Sequence, residues 1–342
     1  MDLLKEIREK IKSNAGSSSG RGLESVLAHI EIAERYHLRA KKDRDEHLYT
    51  DVIYRTNHAF EGILKEAYVT LADKPADKLT PFEIEEYLLK SNVLRGRVVD
   101  LLTNYRQNWR NPSTHDYQLF FSEQESFLAI VTVSAFASIL LDQMLEKIAY
   151  KAKFAELDNA AKLARDQIRD FDKLAPIDKA SKVLLSYASH YISNFGSMSA
   201  YSRSSANGQM AAFIKKVAPE LDVELEVAAG VNDQRFRFDL VVRDKDNIVV
   251  VETRAPRPRD YDESSVDDEA AINQLSKRLY AAGLKSGIVF FYPGRSDDAA
   301  IMTSASSKWP NGLHLREVYS DDSAKYEEED HEEPVSLVDE QG

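Results

Sequence analysis

The sequence predicts a multidomain α plus α/β protein: an N-terminal helical bundle, then a C-terminal domain with the element order αβββαβ. Three observations carry this. The chain has 342 residues, 43% of them apolar, which suffices for two domains of about 150 residues, each with its own core. In the first half, apolar residues recur at the three-and-four spacing of amphipathic helices. After residue 206 the pattern changes to short apolar runs separated by turn residues, the signature of strands.

Residues 1–20 read as a leader and flexible linker. MDLLKEIREK alternates charge with Leu and Ile and so lacks the apolar core of a signal peptide, and SNAGSSSG at 13–20 is loop-like. The bundle is expected over 21–150, from the periodic sets Leu23, Val26, Leu27, Ile30, then Val52, Ile53, Phe60, Leu64, then Leu88, Leu89, Val93. Ser122 followed by Glu125 is a capping box that starts a long helix reaching about Ile148, and Pro112 stops the preceding helix from running into it. The apolar run Phe127 to Leu141 contains Thr132, Ser134 and Ser138. It is shorter than the roughly 18 to 20 residues of a membrane span and reads as a buried helix, with no membrane partner. Residues 151–205 read as a helical connector and a Ser/Gly-rich linker, the latter within 193–208. The domain at 206–318 contains a helix (209–217), strands at 222–229, 236–243 and 248–254, a helix (268–282) stopped by Gly283, and a strand at 287–292. The acidic segment 319–342 reads as a disordered tail.

Composition excludes several function classes. With no cysteine there is no disulfide framework, thiolate zinc site or cysteine nucleophile, and a cytoplasmic location is expected. The net charge is −12, and ten acidic residues against Lys325 between Asp321 and Gln341 account for nine of those charges, leaving about −3 for the rest. A near-neutral body argues against a broad nucleic-acid groove while permitting a local site. The tail is an alternative occupant of a basic pocket, as a nucleic-acid mimic. ATPase, dehydrogenase, zincin and α/β-hydrolase motifs are missing from the sequence.

Two residue constellations carry chemistry. In the first, Arg110-Asn111-Pro112-Ser113-Thr114-His115, Asn111 suits a helix N-cap and Pro112 the first helical position, so a tight helical turn would direct Arg110 and His115 to one pocket. A guanidinium grips phosphate, while an imidazole titrating near neutrality moves protons to or from a reacting oxygen. Together they suit metal-free phosphodiester cleavage, in RNA by the 2′-hydroxyl, leaving a 2′,3′-cyclic phosphate and a 5′-hydroxyl. The bland alternative pairs Arg110 with Asp116 and packs His115 as an ordinary helix residue.

The R-N-x-x-x-H string, set between the last long helices of a bundle, resembles the motif of the HEPN family over residues 21–150. That resemblance implies a small helical bundle, usually a homodimer with the motifs meeting at the interface. It implies catalytic roles for Arg110 and His115 with Asn111 supporting them, no cofactor at this site, RNA as substrate, and a place in prokaryotic defence or toxin-like systems with a regulator or antitoxin as partner. Glu61 or Asn57 would be the additional polar residue of such bundles, although a solvated helix face explains both equally.

The second constellation is Asp239, Glu252 and Arg254. Alternation puts Asp239 on one face of its strand with Arg237 and Val241, with Phe238, Leu240 and Val242 opposite; Glu252 shares a face with Arg254. Two carboxylates on adjacent strands beside a cation suit Mg²⁺ and a scissile phosphate, and Glu252 otherwise interrupts an apolar strand at a cost. The αβββαβ order with these residues resembles the PD-(D/E)xK nuclease superfamily over about 206–292. That implies Asp239 and Glu252 as metal ligands, Arg254 in the place of the motif lysine, and Gln274 or Asn273 reaching the pocket. Two departures stand: arginine does not readily act as a base, and the preceding helix, 209–217, has no acidic residue. Alternatives to the ribonuclease are therefore a Mg²⁺-dependent DNA nuclease at this second site, a sensor of nucleic acid or nucleotide, and a simple Glu252–Arg254 ion pair in a non-cleaving domain.

Overall fold

A computed structural model describes residues 3–13, 20–115, 118–195, 203–231, 234–255, 261–293, 302–309 and 312–320, with the backbone alone described at 13, 115, 192–195, 261–269 and 307–308. The chain forms two compact units. Unit 1 comprises residues 1–152 and 201–208, and unit 2 comprises 153–200 and 209–342. Of the segment 319–342 expected as a disordered tail, Tyr319 and Ser320 instead end a strand, and the rest lies outside the described residues.

Unit 1 is helical: α1 (Leu3–Ser13), α2 (Gly20–Asp43), α3 (His47–Ala72), α4 (Pro81–Lys90), α5 (Gly96–Tyr105), a π-turn (Arg106–Arg110), α6 (Asn111–His115) and α7 (Glu123–Glu156). The first helix corrects the reading of 1–20 as a leader. Ile7 and Ile11, one helical turn apart, are buried in the bundle core, so this segment is part of the fold. At the start of α7, Glu125 N–H donates to Ser122 Oγ at 3.3 Å while Ser122 N–H donates to Glu125 Oε2 at 2.8 Å, the reciprocal bonds of the expected capping box. An equivalent box, Thr80 with Glu83, starts α4. By length and composition α7 is sufficient to cross a membrane, but 67% of its most apolar 18-residue window is buried within the protein. Phe60 from α3 stacks on Tyr105 at 4.6 Å and meets Phe136 of α7 at 5.2 Å; burying each ring contributes roughly 1.5–3 kcal/mol.

Unit 2 contains α8 (Asp158–Gln167), α9 (Pro176–Phe195), most of α10 (Arg203–Val217), β1 (Asp222–Ala229), β2 (Phe236–Asp244), β3 (Asn247–Arg254), α11 (Tyr261–Ala282), β4 (Ser286–Phe291), β5 (Met302–Trp309) and β6 (Leu313–Ser320). The strands form one sheet in the order β1-β2-β3-β4-β6-β5. Strands β1, β2 and β3 make the expected antiparallel meander, and β3, β4 and β6 run parallel. Two strands thus extend the predicted αβββαβ order, β5 pairing antiparallel with β6.

The central strands β3 and β4 carry the apolar runs 248–251 and 288–291 because both sheet faces are covered. On one face Val241, Val250, Val289 and Leu315 pack with Ile272, Leu275 and Leu279 of α11. On the other, Phe290 of β4 lies 6.2 Å from Tyr187 of α9, which lies 5.6 Å from Phe213 of α10. Helix α9 is therefore part of this unit's core rather than a connector: its Ala180, Val183, Leu184, Tyr187 and Ala188 are fully buried. As anticipated, Gly283 ends α11 at φ 70°, the left-handed conformation that suits a residue without Cβ.

Candidate functional site

In unit 1, α5, the π-turn and α6 run on as one distorted helix through Asn111, whose backbone is helical (φ −67°, ψ −48°). Its N–H bonds Arg106 O, five residues back. This corrects the reading of Asn111 as an N-cap. Pro112 has no N–H and its ring would strike the carbonyl four residues earlier; the widened turn passes that obstacle without ending the helix. Irregular helical turns of this kind recur at functional sites.

The turn is held from α3. Asn57 Nδ2 donates to Ser113 Oγ at 2.8 Å, and Ser113 Oγ donates to Arg110 O at 3.0 Å. The buried Tyr105 hydroxyl faces Thr56 Oγ1 at 2.7 Å and Asn57 Oδ1 at 3.0 Å. Burial pushes the Tyr105 hydroxyl well above the usual phenol range, so it stays protonated as a donor. Arg106 pairs with the buried Glu85 of α4. Arg110 reaches Asn111 Oδ1 at 3.2 Å and Glu61 Oε1 at 3.5 Å, and its side chain keeps 22% of its surface exposed. Both α3 residues singled out in the sequence thus contact the motif: Asn57 through Ser113, Glu61 through Arg110. His115 ends α6, while its side chain and Asp116 lie outside the described residues.

In unit 2 the strand ladders break around Asp239. The β1–β2 pairing skips Glu226 and Asp239, with Glu226 in the left-handed region at φ 53°, and the β2–β3 pairing stops at Leu240 opposite Val251. Beyond that point Asp239 Oδ2 takes the place of a backbone acceptor, receiving Thr253 N–H at 2.7 Å and Thr253 Oγ1–H at 2.9 Å. The distortion corrects the expected face assignment, because Phe238 joins Val241 in one apolar cluster instead of facing away from it.

Glu252 is 5% exposed. Its Oε2 accepts from Arg254 Nη1 at 3.3 Å, and its Oε1 pairs with Nη1 of Arg278 from α11. Burial first, and then the neighbouring Asp239 charge, push the Glu252 carboxyl above the ordinary carboxylate range, against the pull of both arginines. Arg254 also reaches the exposed Gln274 at 3.3 Å. The structure therefore brings together Glu252, Arg254 and Gln274, with Asp239 close enough for its charge to act on Glu252 and its Oδ2 held by Thr253. Arg278 was missed from the sequence, although it lies one helical turn beyond Gln274 and the same i, i+4 spacing indicates it. Among the described residues no group of three or more His, Asp or Glu side chains is arranged to hold a metal ion. Both Glu252 oxygens are engaged by guanidinium groups, and this donor set does not fit a hard divalent cation as it stands.

Comparison with known protein families, curated proteins and solved structures finds no match to this chain.

Proposed function

We propose that the protein is a metal-independent endoribonuclease of a prokaryotic defence or toxin-like system, cleaving RNA through Arg110 and His115 at a homodimer interface. The observation that carries this reading is the state of Arg110. It is part-exposed, fixed at its backbone by the Asn57–Ser113 bonds, and, among the described residues, restrained by a long ion pair and one neutral acceptor. A phosphate can displace such partners and take a charge-assisted bidentate grip. In the proposed reaction His115 takes the 2′-hydroxyl proton as that oxygen attacks phosphorus. His115 then gives that proton up to the departing 5′-oxygen, leaving a 2′,3′-cyclic phosphate, a 5′-hydroxyl and a neutral imidazole.

The test is incubation with total RNA and with plasmid DNA, with and without EDTA, for the wild type, Arg110→Ala and His115→Ala. Cleavage of RNA alone, undiminished by EDTA and lost in both variants with the fold intact, is expected. EDTA-sensitive DNA cleavage would move the chemistry to unit 2. The alternative reading of unit 2 as a binding module for nucleic acid or nucleotide predicts retained binding without turnover when unit 1 is disabled. A regulator or antitoxin partner follows from the toxin-like reading.

A further inference from the structure

Glu252 sits in β3, a strand covered on both faces, where a bare carboxylate is strongly disfavoured. Two guanidinium groups compensate it, and Arg278 is fixed more firmly than a surface arginine. Its Nη1 pairs with Glu252 Oε1, its Nη2 donates to the Arg237 carbonyl, and its Cζ lies 4.6 Å from the centre of the Phe238 ring. Arg254 completes the enclosure through Glu252 Oε2, the Thr253 carbonyl at 3.1 Å and Gln274. Asp239 Oδ2 meanwhile accepts both the Thr253 N–H and the Thr253 hydroxyl. A divalent ion bound by a carboxylate sits about 2.0–2.6 Å from its oxygens, the space these groups fill.

We propose that Arg278 is a built-in cation that replaces a metal at Glu252, making unit 2 a metal-free domain whose carboxylates serve the fold instead of hydrolysis. This goes beyond the ribonuclease reading and does not depend on it. It also gives physical content to the arginine at position 254: with Arg278 alongside, that position supports a second ion pair in place of a lysine's proton chemistry.

The probe is Mn²⁺ at millimolar concentration, read as a shift in melting temperature of the full chain, because the acidic tail would blur a simple binding count. Four proteins are compared: wild type, Glu252→Gln, Arg278→Gln, and Arg278→Gln with Glu252→Gln. The wild type should shift no more than Glu252→Gln does. Arg278→Gln, with the guanidinium gone, should gain a Mn²⁺-dependent rise of about 3 °C or more, and the added Glu252→Gln should remove that rise. A Glu252-dependent shift in the wild type overturns the proposal, as does a folded Arg278→Gln that fails to respond. If Arg278→Gln does not fold by itself, refolding with Mn²⁺ decides: recovery supports the replacement, and no recovery overturns it.

Discussion

Tyr105→Phe isolates the bonds that tie the Arg110 turn to α3. The ring is fully buried, stacks on Phe60 at 4.6 Å and meets Trp109 at a tilt at 5.6 Å; phenylalanine preserves those contacts, so no cavity is made. What disappears is the hydroxyl between Thr56 Oγ1 and Asn57 Oδ1. Thr56 still donates to Ile53 O at 2.9 Å, while Thr56 Oγ1 and Asn57 Oδ1 both lose the one proton that the hydroxyl offers them. Losing a buried bond and stranding an acceptor costs roughly 1–2 kcal/mol, a fall in Tm of about 3–6 °C for a unit of this size. Urea unfolding followed by circular dichroism measures it. In a cycle with Asn57→Ala, the double variant should lose about 1 kcal/mol less than the sum of the singles. RNA cleavage should fall in Tyr105→Phe with Arg110 and His115 untouched. A stability change under about 0.3 kcal/mol, or an additive cycle, would refute the claim that this network holds the turn.

Gly208→Ala should destabilise unit 1 by roughly 1–3 kcal/mol in the same urea assay, since a Cβ there would run into the Glu146 main chain, which cannot swing aside. The raised carboxyl of Glu252 binds a proton more readily folded than unfolded, so its contribution is fully present below the unfolded value of 4.5 and is lost as pH rises through the higher folded value. The stability of the wild type relative to Glu252→Gln should therefore decline across that window; a difference that grows with pH there sinks the assignment.

Elements whose signals are local were legible in the sequence. Ser122 with Glu125 marks the start of α7, Gly283 the end of α11, and the run of Val and Ile places β3. Helix α1 was not, because Ser/Gly-rich residues follow it and its two core side chains gain their partners only from the rest of the bundle. Helix α9 looked like a connector for the same reason: amphipathic spacing shows that a face is buried, never what buries it. The π-turn depends on how the chain passes Pro112, which single-residue propensities do not report. Asn57 and Glu61 were visible as polar residues on a helix, but their contacts with the motif bring together positions about fifty residues apart.

The two sites pair arginine with carboxylates of opposite exposure, and this difference is measurable. The pair between Arg110 and Glu61 is 3.5 Å long, with 22% and 35% of the two side chains exposed. Such a pair is worth about 0–1 kcal/mol, which leaves the guanidinium available to an incoming phosphate. Glu252 is 6% exposed in its side chain and compensates two arginines that keep 26% and 22% of theirs exposed. Removing the carboxylate therefore costs up to the roughly 3–5 kcal/mol of a broken buried pair, reduced by the solvent each guanidinium still reaches. Glu61→Ala should thus leave unit 1 within about 1 kcal/mol of the wild type, whereas Glu252→Ala should cost unit 2 several times more, each followed by its own unit's unfolding transition. If the two losses are equal, the contrast between a half-exposed carboxylate partner and a buried one is wrong. The division of labour between the units would then lose its physical basis.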